Sequence, residues 1–203
     1  SQSDKTGDID MLTMVKQYIK EKYNKPGNVY LGLVHRLDRP VGGIMIFAKT
    51  SKAASRLSDQ VREKVFKKKY LAVVDGKIEN KSGTLEDYLY KDERNNISKV
   101  VNKGKKNAKF AKLDYDVIKY DEVKNLSLVK VNLHTGRHHQ IRVQLSNFGH
   151  SIFGDQKYGT RGQGKQIALW AYELTINHPI TKEEITFKDL PESVGTWCIL
   201  RNR

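Results

Sequence analysis

From residue 8 to about residue 22 the apolar positions Ile9, Leu12, Val15, Tyr18 and Ile19 recur at helical spacing, and Pro26-Gly27 ends the pattern. Residues 29–34 predict a short strand, and the apolar run 44–48 predicts its neighbour. A second helical pattern opens at Ser51, the expected cap, and reaches about residue 66, with Ala54, Leu57, Val61 and Val65 along one face. Lys67-Lys68-Lys69 is its expected close, with cations where the helix dipole favours them. Strand signals then crowd together at 69–74, 83–90, 98–101, 108–119 and 126–133. One more helix is predicted around 139–148, where Ile141, Leu145 and Phe148 share a face, and strands follow at 167–177 and 184–187. Many strands in succession with few helices argue an α+β fold, a mixed and largely antiparallel sheet with flanking helices. The chain carries no repeat, heptad run or long Gly/Ser linker, so one domain over residues 1–203 is expected.

Composition narrows the partners. With 203 residues, 38% of them hydrophobic and 30% charged, the chain has room for one well-filled core. Lys and Arg number 37 against 23 Asp and Glu, a formal charge of +14, which points to a polyanion. An anionic membrane is the rival partner. No apolar stretch approaches the ~20 residues that span a bilayer, however, and no basic amphipathic helix stands out. Cys198 stands alone, so it makes no intramolecular disulfide and builds no zinc site by itself. A reducing, cytoplasmic setting fits, and no secretory signal opens the chain. Ser1-Gln2-Ser3, with no initiator Met, reads as a processed or truncated start, which leaves room for an upstream S4-like RNA-binding module.

Two segments concentrate the chemistry. In Val34-His35-Arg36-Leu37-Asp38-Arg39-Pro40-Val41-Gly42-Gly43, one carboxylate sits between two guanidinium groups and is followed by turn residues and an apolar run. Neighbouring cations favour its ionised form, and a turn between strands presents a side chain to a cleft. The plain reading of Asp38 is a salt-bridged loop residue. The second segment follows the alternating run 126–133. Thr135-Gly136 breaks the strand, and Arg137, Gln140 and Arg142 lie around a strand-to-helix junction. A fork of donors there can hold a carboxylate or a phosphate bidentately.

Together these residues resemble a known family. His35-Arg36-Leu37-Asp38, Gly136-Arg137-His138-His139-Gln140-Ile141-Arg142 and Gly154-Asp155-Gln156-Lys157-Tyr158-Gly159 are similar to motifs of the RluA-type RNA pseudouridine synthases. Lys69-Tyr70-Leu71-Ala72-Val73-Val74 and Ala168-Leu169-Trp170-Ala171-Tyr172-Glu173-Leu174 extend the likeness in the family's order, from about residue 32 to residue 179. One departure is visible: Pro40-Val41-Gly42-Gly43 stands where many members carry Thr-Ser-Gly after the acid, which bears on turn geometry.

The resemblance implies isomerisation of uridine to pseudouridine in structured RNA, ribosomal or transfer, by a monomer that uses no metal or other cofactor. It assigns Asp38 as the nucleophile, attacking C1′ or taking a C2′ proton to give a glycal. Arg142 would be its buried partner and Tyr70 the active-site tyrosine that stacks on uracil and handles the C5 proton. Leu169 would line the far side of the pocket, and Arg36 would fill the space left by the flipped base. Arg39, Arg137 and the lysines Lys67, Lys68 and Lys69 would grip the backbone. Without the resemblance, Tyr70 reads as strand packing and Arg142 as a surface helix residue. The rival function is a catalytically silent RNA-binding or ribosome-associated protein on the same scaffold. A phosphoryl-transfer enzyme is more distant, since clustered acids to hold magnesium are missing.

Other patterns carry less. The runs at 67–69 and 103–106 read either as solvated surface or as phosphate contacts. Gly159 to Lys165 fits Gly-x4-Gly-Lys, but Gln166 replaces the magnesium-binding hydroxyl and no buried strand is predicted before it, so a flexible basic loop is expected. His134, His138 and His139 have no carboxylate close in sequence, and Arg137 would repel a metal, so satisfied or RNA-facing histidines are expected. The acceptor patterns at Asn80, Asn96 and Asn125 mean little without a secretory signal. Paired-carboxylate glycoside chemistry needs a second acid near Asp38. Asp155 is the candidate, although the resemblance gives it a turn role.

Overall fold

A computed structural model describes residues 10–201. In chain order the elements are α1 (Met11–Lys22), β1 (Gly32–Leu33), β2 (Gly42–Gly43), β3 (Phe47–Ala48), α2 (Ser51–Arg62), β4 (Lys67–Asp75), β5 (Ser82–Asp92), β6 (Ile97–Val101), β7 (Lys109–Asp121), β8 (Leu126–Leu133), α3 (Gln140–Asn147), β9 (Leu169–Asn177), β10 (Glu184–Lys188) and a 3-10 helix at Gly195–Leu200. The chain divides into two compact units: Ser1–Arg39, Met45–Phe66 and Thr175–Thr186 form one, and Pro40–Ile44, Lys67–Leu174 and Phe187–Arg203 the other.

In the first unit, the Asp10 carboxylate caps α1 by accepting from Thr13 N at 2.8 Å; the predicted positions Asp8 and Ile9 lie outside the described residues. β1 and β3 pair antiparallel, Gly32 opposite Ala48 and Leu33 opposite Phe47. The cap of α2 is Thr50, not Ser51. Thr50 has the extended backbone an N-cap requires, and its hydroxyl accepts from Ala53 N at 3.1 Å. Nor does the lysine triplet close α2. The helix ends at Arg62, Lys64 takes a left-handed φ of 61°, and Val65 N and Phe66 N both donate to Gln60 O. Lys67 then begins a strand, so the triplet belongs to β4. The Gln60 side chain ties α2 to the chain end of this unit, donating to Asn177 O at 2.7 Å and accepting from Asn177 N at 2.9 Å.

The second unit is built on the large sheet, ordered β10-β9-β4-β8-β7-β5-β6, with β2 added parallel to β9. The determined pairings β4–β8, β7–β8, β5–β7 and β5–β6 are all antiparallel, so the sheet is mixed and largely antiparallel as predicted. Its core runs along β4, β8 and β7, where Ala72, Val73, Val74, Leu113, Val129 and Val131 are wholly buried. A bulge between Val117 and Lys119 absorbs one residue of β7.

The departure noted after Asp38 has a structural reason. Gly42 lies opposite Trp170, Gly43 lies opposite Ala171, and Ile44 N donates to Ala171 O at 2.9 Å. A Cβ on Gly43, whose φ is +115°, would stand 2.3 Å from Ala171 O; on Gly42 it would stand 2.2 Å from the Trp170 ring. The Gln166 amide also donates to Pro40 O. The turn that follows Asp38 is therefore seated backbone to backbone on β9. Gly43→Ala combines left-handed strain with a backbone clash and should cost more than about 2 kcal/mol. Thermal unfolding should show a drop in midpoint of at least about 5 °C; an unchanged midpoint would mean that β2 does not approach β9 this closely.

Candidate active site

The junction between β8 and α3 is held by one carbonyl and one glutamine. Lys112 O accepts from His134 N, Thr135 N and the Gln140 side chain, and Lys112 N donates to the Thr135 hydroxyl at 2.9 Å. Gln140 Oε1 in turn accepts from the Thr135 hydroxyl at 2.8 Å and from Arg137 N at 3.0 Å. Gln140 thus performs a structural task, tying the loop before α3 to β7. His139, the N-cap of α3, takes a left-handed φ of 52° with no side-chain capping bond, so the surrounding network imposes its conformation.

α3 is buried over six successive residues, Gln140 to Leu145. Its polar members must then find partners inside. Gln144 donates to Asp87 at 2.7 Å, and Arg142, 3% exposed, is gripped by Asp155. Arg142 Nε and Nη2 each donate to one oxygen of the wholly buried Asp155 carboxylate at 2.7 Å. Asp155 Oδ1 also accepts from Lys157 N at 2.9 Å and Tyr158 N at 3.2 Å. The Tyr158 ring lies against the guanidinium, 5.2 Å from Cζ to centroid. Burial alone would raise the Asp155 pKa, but the hydrogen bonds and charge of Arg142 and the two backbone amides hold it below the ordinary carboxylate range.

Tyr158 links this clamp to the histidines. Its hydroxyl accepts from Ser98 N at 2.7 Å and lies 2.8 Å from His139 Nδ1. The His138 and His139 rings stack at 3.7 Å, and His138 Nδ1 is 3.0 Å from the Ser98 hydroxyl. Burial, reinforced by the charges of Arg142, His138 and Lys157, pushes the His139 pKa down to about 3. His139 is therefore neutral, with Nδ1 hydrogen-bonded to the tyrosine hydroxyl. Between pH 6.5 and 3 the unfolded chain takes up a proton at His139 that the folded chain refuses, so stability rises with pH across this window. From pH 7 to pH 5 this one group should remove about 2 kcal/mol. In chemical denaturation His139→Gln should lose less stability than the wild type over that interval, and equal losses would show that His139 is not held neutral.

The expected site residues divide between the two units. Asp38 is half-buried in the first, in the segment after β1, with Arg36 and Arg39 exposed on either side. Three residues earlier, His35 Nε2 accepts from Ile46 N at 3.0 Å and its ring packs on Phe66 at 5.1 Å, which anchors the start of that segment. Tyr70, Arg142, Arg137 and Leu169 belong to the second unit. Tyr70 is 7% exposed in the middle of β4, opposite Val131, and Leu169 is buried at the start of β9. The lysine triplet splits: Lys67 is exposed, burial pushes the Lys68 ammonium down, and Lys69 Nζ pairs with Glu173 at 2.6 Å. Arg137 is exposed and donates through Nε to Phe110 O at 2.8 Å.

The family model for RNA pseudouridylate synthases matches residues 3–147, well over half of the chain. This chain belongs to the RNA pseudouridylate synthase family. It is 34% identical over 171 residues to tRNA pseudouridine synthase C of Haemophilus influenzae, covering 75% of this chain and 71% of that protein. It is 37% identical over 155 residues to the uncharacterized RNA pseudouridine synthase YhcT of Bacillus subtilis, 75% of this chain and 50% of the relative. The Haemophilus influenzae ribosomal large subunit pseudouridine synthase C is 34% identical over 174 residues, 80% of this chain and 52% of that one. The chain therefore spans between half and about seven-tenths of the length of these relatives. Among solved structures, human RNA pseudouridylate synthase domain containing 1 superposes with a TM-score of 0.75 at 24% identity, over 92% of this chain and 77% of that one, which shows the same fold.

Against the family's motif order, the residue that sequence reasoning underrated is Asp155. The resemblance gives it a turn role, and it does accept turn amides, but it is also the carboxylate that grips Arg142. The signal that could have found it is the pairing of an invested acid with a buried arginine, which is invisible before α3 is known to be buried on every side. The histidines have partners, as expected, but a carboxylate does reach one of them: Asp114 of β7 bonds His134 Nε2 across the sheet. The Gly-x4-Gly-Lys segment has no strand before it, and its Arg161 is tied to Lys124 O, Asn125 O and the Asp75 carboxylate. No described helix is long and apolar enough to cross a membrane.

Proposed function

We propose that this protein isomerises uridine to pseudouridine in structured ribosomal or transfer RNA, with Asp38 as the nucleophile. The buried Arg142 clamp supports the reading most directly, because a carboxylate working beside a ribose must stay ionised in a dry site and needs a fixed cation. Asp155 occupies Nε and one hydrogen of Nη2. The N1–C1′ bond breaks, the uracil turns, C5 joins C1′, the C5 proton leaves and N1 is protonated; the sum is an isomerisation. Asp38 opens it by attacking C1′, in an ester bond that breaks when C5 joins C1′, or by removing the C2′ proton, which returns to C2′ as C5 joins C1′. Tyr70 stacks on the detached uracil and takes the C5 proton. Leu169 closes the opposite wall, and Arg36 enters the stack that the flipped base vacates. Arg39, Arg137 and Lys67 contact phosphates. The protein acts as a monomer in the cytoplasm.

Tritium release from [5-3H]uridine-labelled transcripts of transfer RNA and large-subunit ribosomal RNA tests the activity, since only C5 substitution frees that label. Release with pseudouridine in the product is expected; binding without release would make the protein a silent RNA-binding scaffold. Tyr70→Phe keeps the ring and removes the hydroxyl. It should slow turnover by about 10²–10⁴-fold with little change in RNA affinity, and a full-speed variant would reduce Tyr70 to packing.

A further inference from the structure

β5 outruns its partner β7. Their register ends at Leu89 opposite Lys109, while Tyr90, Lys91 and Asp92 continue against β6 alone. A groove of about 490 Å³ opens at this divergence, lined by Tyr90 and Lys91 of β5, Asn107 and Lys109 at the start of β7, and Arg137 and His138 of the turn before α3. Small-ligand sites run from roughly 300 to 1,000 Å³, so the groove has room for about one nucleotide.

Its chemistry is specific in kind. Arg137 is fixed by its Nε bond to Phe110 O, and no described residue accepts from its two terminal nitrogens. Lys109 is exposed in the same groove, and a fork beside an ammonium is the donor set for a phosphate. The acid among the lining residues, Glu93, is neutralised by Lys91 at 2.6 Å, so little repels an anion. The Tyr90 ring has Lys105 Nζ 5.5 Å from its centroid, and His138 is held edge-on by Ser98 and stacked on His139. Flat surfaces flanked by cations receive unpaired bases.

We propose that this groove seats one unpaired nucleotide of the RNA substrate, distinct from the reacting uridine, with its phosphate on Arg137 and Lys109 and its base against Tyr90 and His138. The proposal rests on the reading of the protein as an RNA pseudouridine synthase. It makes the groove a second foothold that fixes where along a loop the reacting uridine falls. Because Arg137 and Gln140 belong to one hydrogen-bonded turn, occupancy of the groove is mechanically tied to the start of α3.

A 12-nucleotide oligouridine carrying a central 4-thiouridine, photocrosslinked to the whole protein, tests the assignment. Peptide mapping should place label on Tyr90 or His138. In parallel, Lys109→Ala should lower the slope of log affinity against log salt by about 0.7, the loss of one single-strand phosphate contact, while Lys81→Ala, an exposed lysine before β5, leaves it unchanged. Label only outside the groove, with Lys109→Ala behaving like Lys81→Ala, overturns the proposal. Tritium release on the same preparation separates the two readings. An active enzyme with an unlabelled groove refutes the groove alone, and an inactive protein labelled in the groove refutes the isomerase reading while the nucleotide site stands.

Discussion

Asp38→Asn is expected to reduce pseudouridine formation by at least about a thousandfold, equivalent to about 4 kcal/mol of transition-state stabilisation, without loss of RNA binding. The argument is one of charge at constant shape. Asparagine fills the same volume in this half-buried segment, and the supports of that segment lie elsewhere: His35 on Ile46 N and Phe66 on one side, β2 on β9 on the other. The fold should therefore survive, with a thermal midpoint close to the wild type. Affinity for RNA comes from cations on phosphates, and removing a carboxylate from among Arg36 and Arg39 leaves it equal or slightly higher. What the amide lacks is the capacity to attack C1′ or accept a C2′ proton. Retained turnover in Asp38→Asn would remove the nucleophile assignment outright.

Asp155→Ala should be the most damaging substitution for stability. It leaves Arg142 charged and 3% exposed without the carboxylate that holds two of its nitrogens, and orphans the amides of Lys157 and Tyr158. Breaking one partner out of a buried pair costs about 3–5 kcal/mol, which for a chain of this size lowers the thermal midpoint by roughly 6–20 °C. The folded-state pKa of Asp155 is depressed, so its contribution is present above the ordinary carboxylate pKa and is lost as pH falls through the folded value. A double variant distinguishes structure from function. Asp155→Leu with Arg142→Met removes both charges and should recover most of the stability, while activity is expected to stay lost with the buried cation. A double variant with full turnover would show that the clamp serves folding alone.

The strand succession was legible because its signal is local. β8 spans the residues its alternation predicts, and β4, β5, β6, β7, β9 and β10 differ from prediction by no more than two residues at either end. Helix ends were less legible. Thr50 and Ser51 are equally good caps by residue type, and the choice between them was made by the extended backbone at Thr50. The lysine triplet reads as a helix end by charge, but Lys64 in a left-handed conformation reverses the chain first. β2 had no periodic signal, since two glycines carry no side chain to pattern; only its seat on β9 makes it a strand.

Sequence alone was enough to establish the succession of strands in an α+β chain with a largely antiparallel sheet, the excess of cations suited to RNA, and a set of motifs that places the chain in its family. Those properties depend on residue type, spacing and total charge, which are written along the chain. The tertiary structure decided which acid holds Arg142, which lysine faces solvent, and why Gly42-Gly43 follows Asp38. These depend on burial and on close approach between distant segments, Asp155 to Arg142, Glu173 to Lys69 and Ala171 to Gly43, where desolvation makes each partner obligatory.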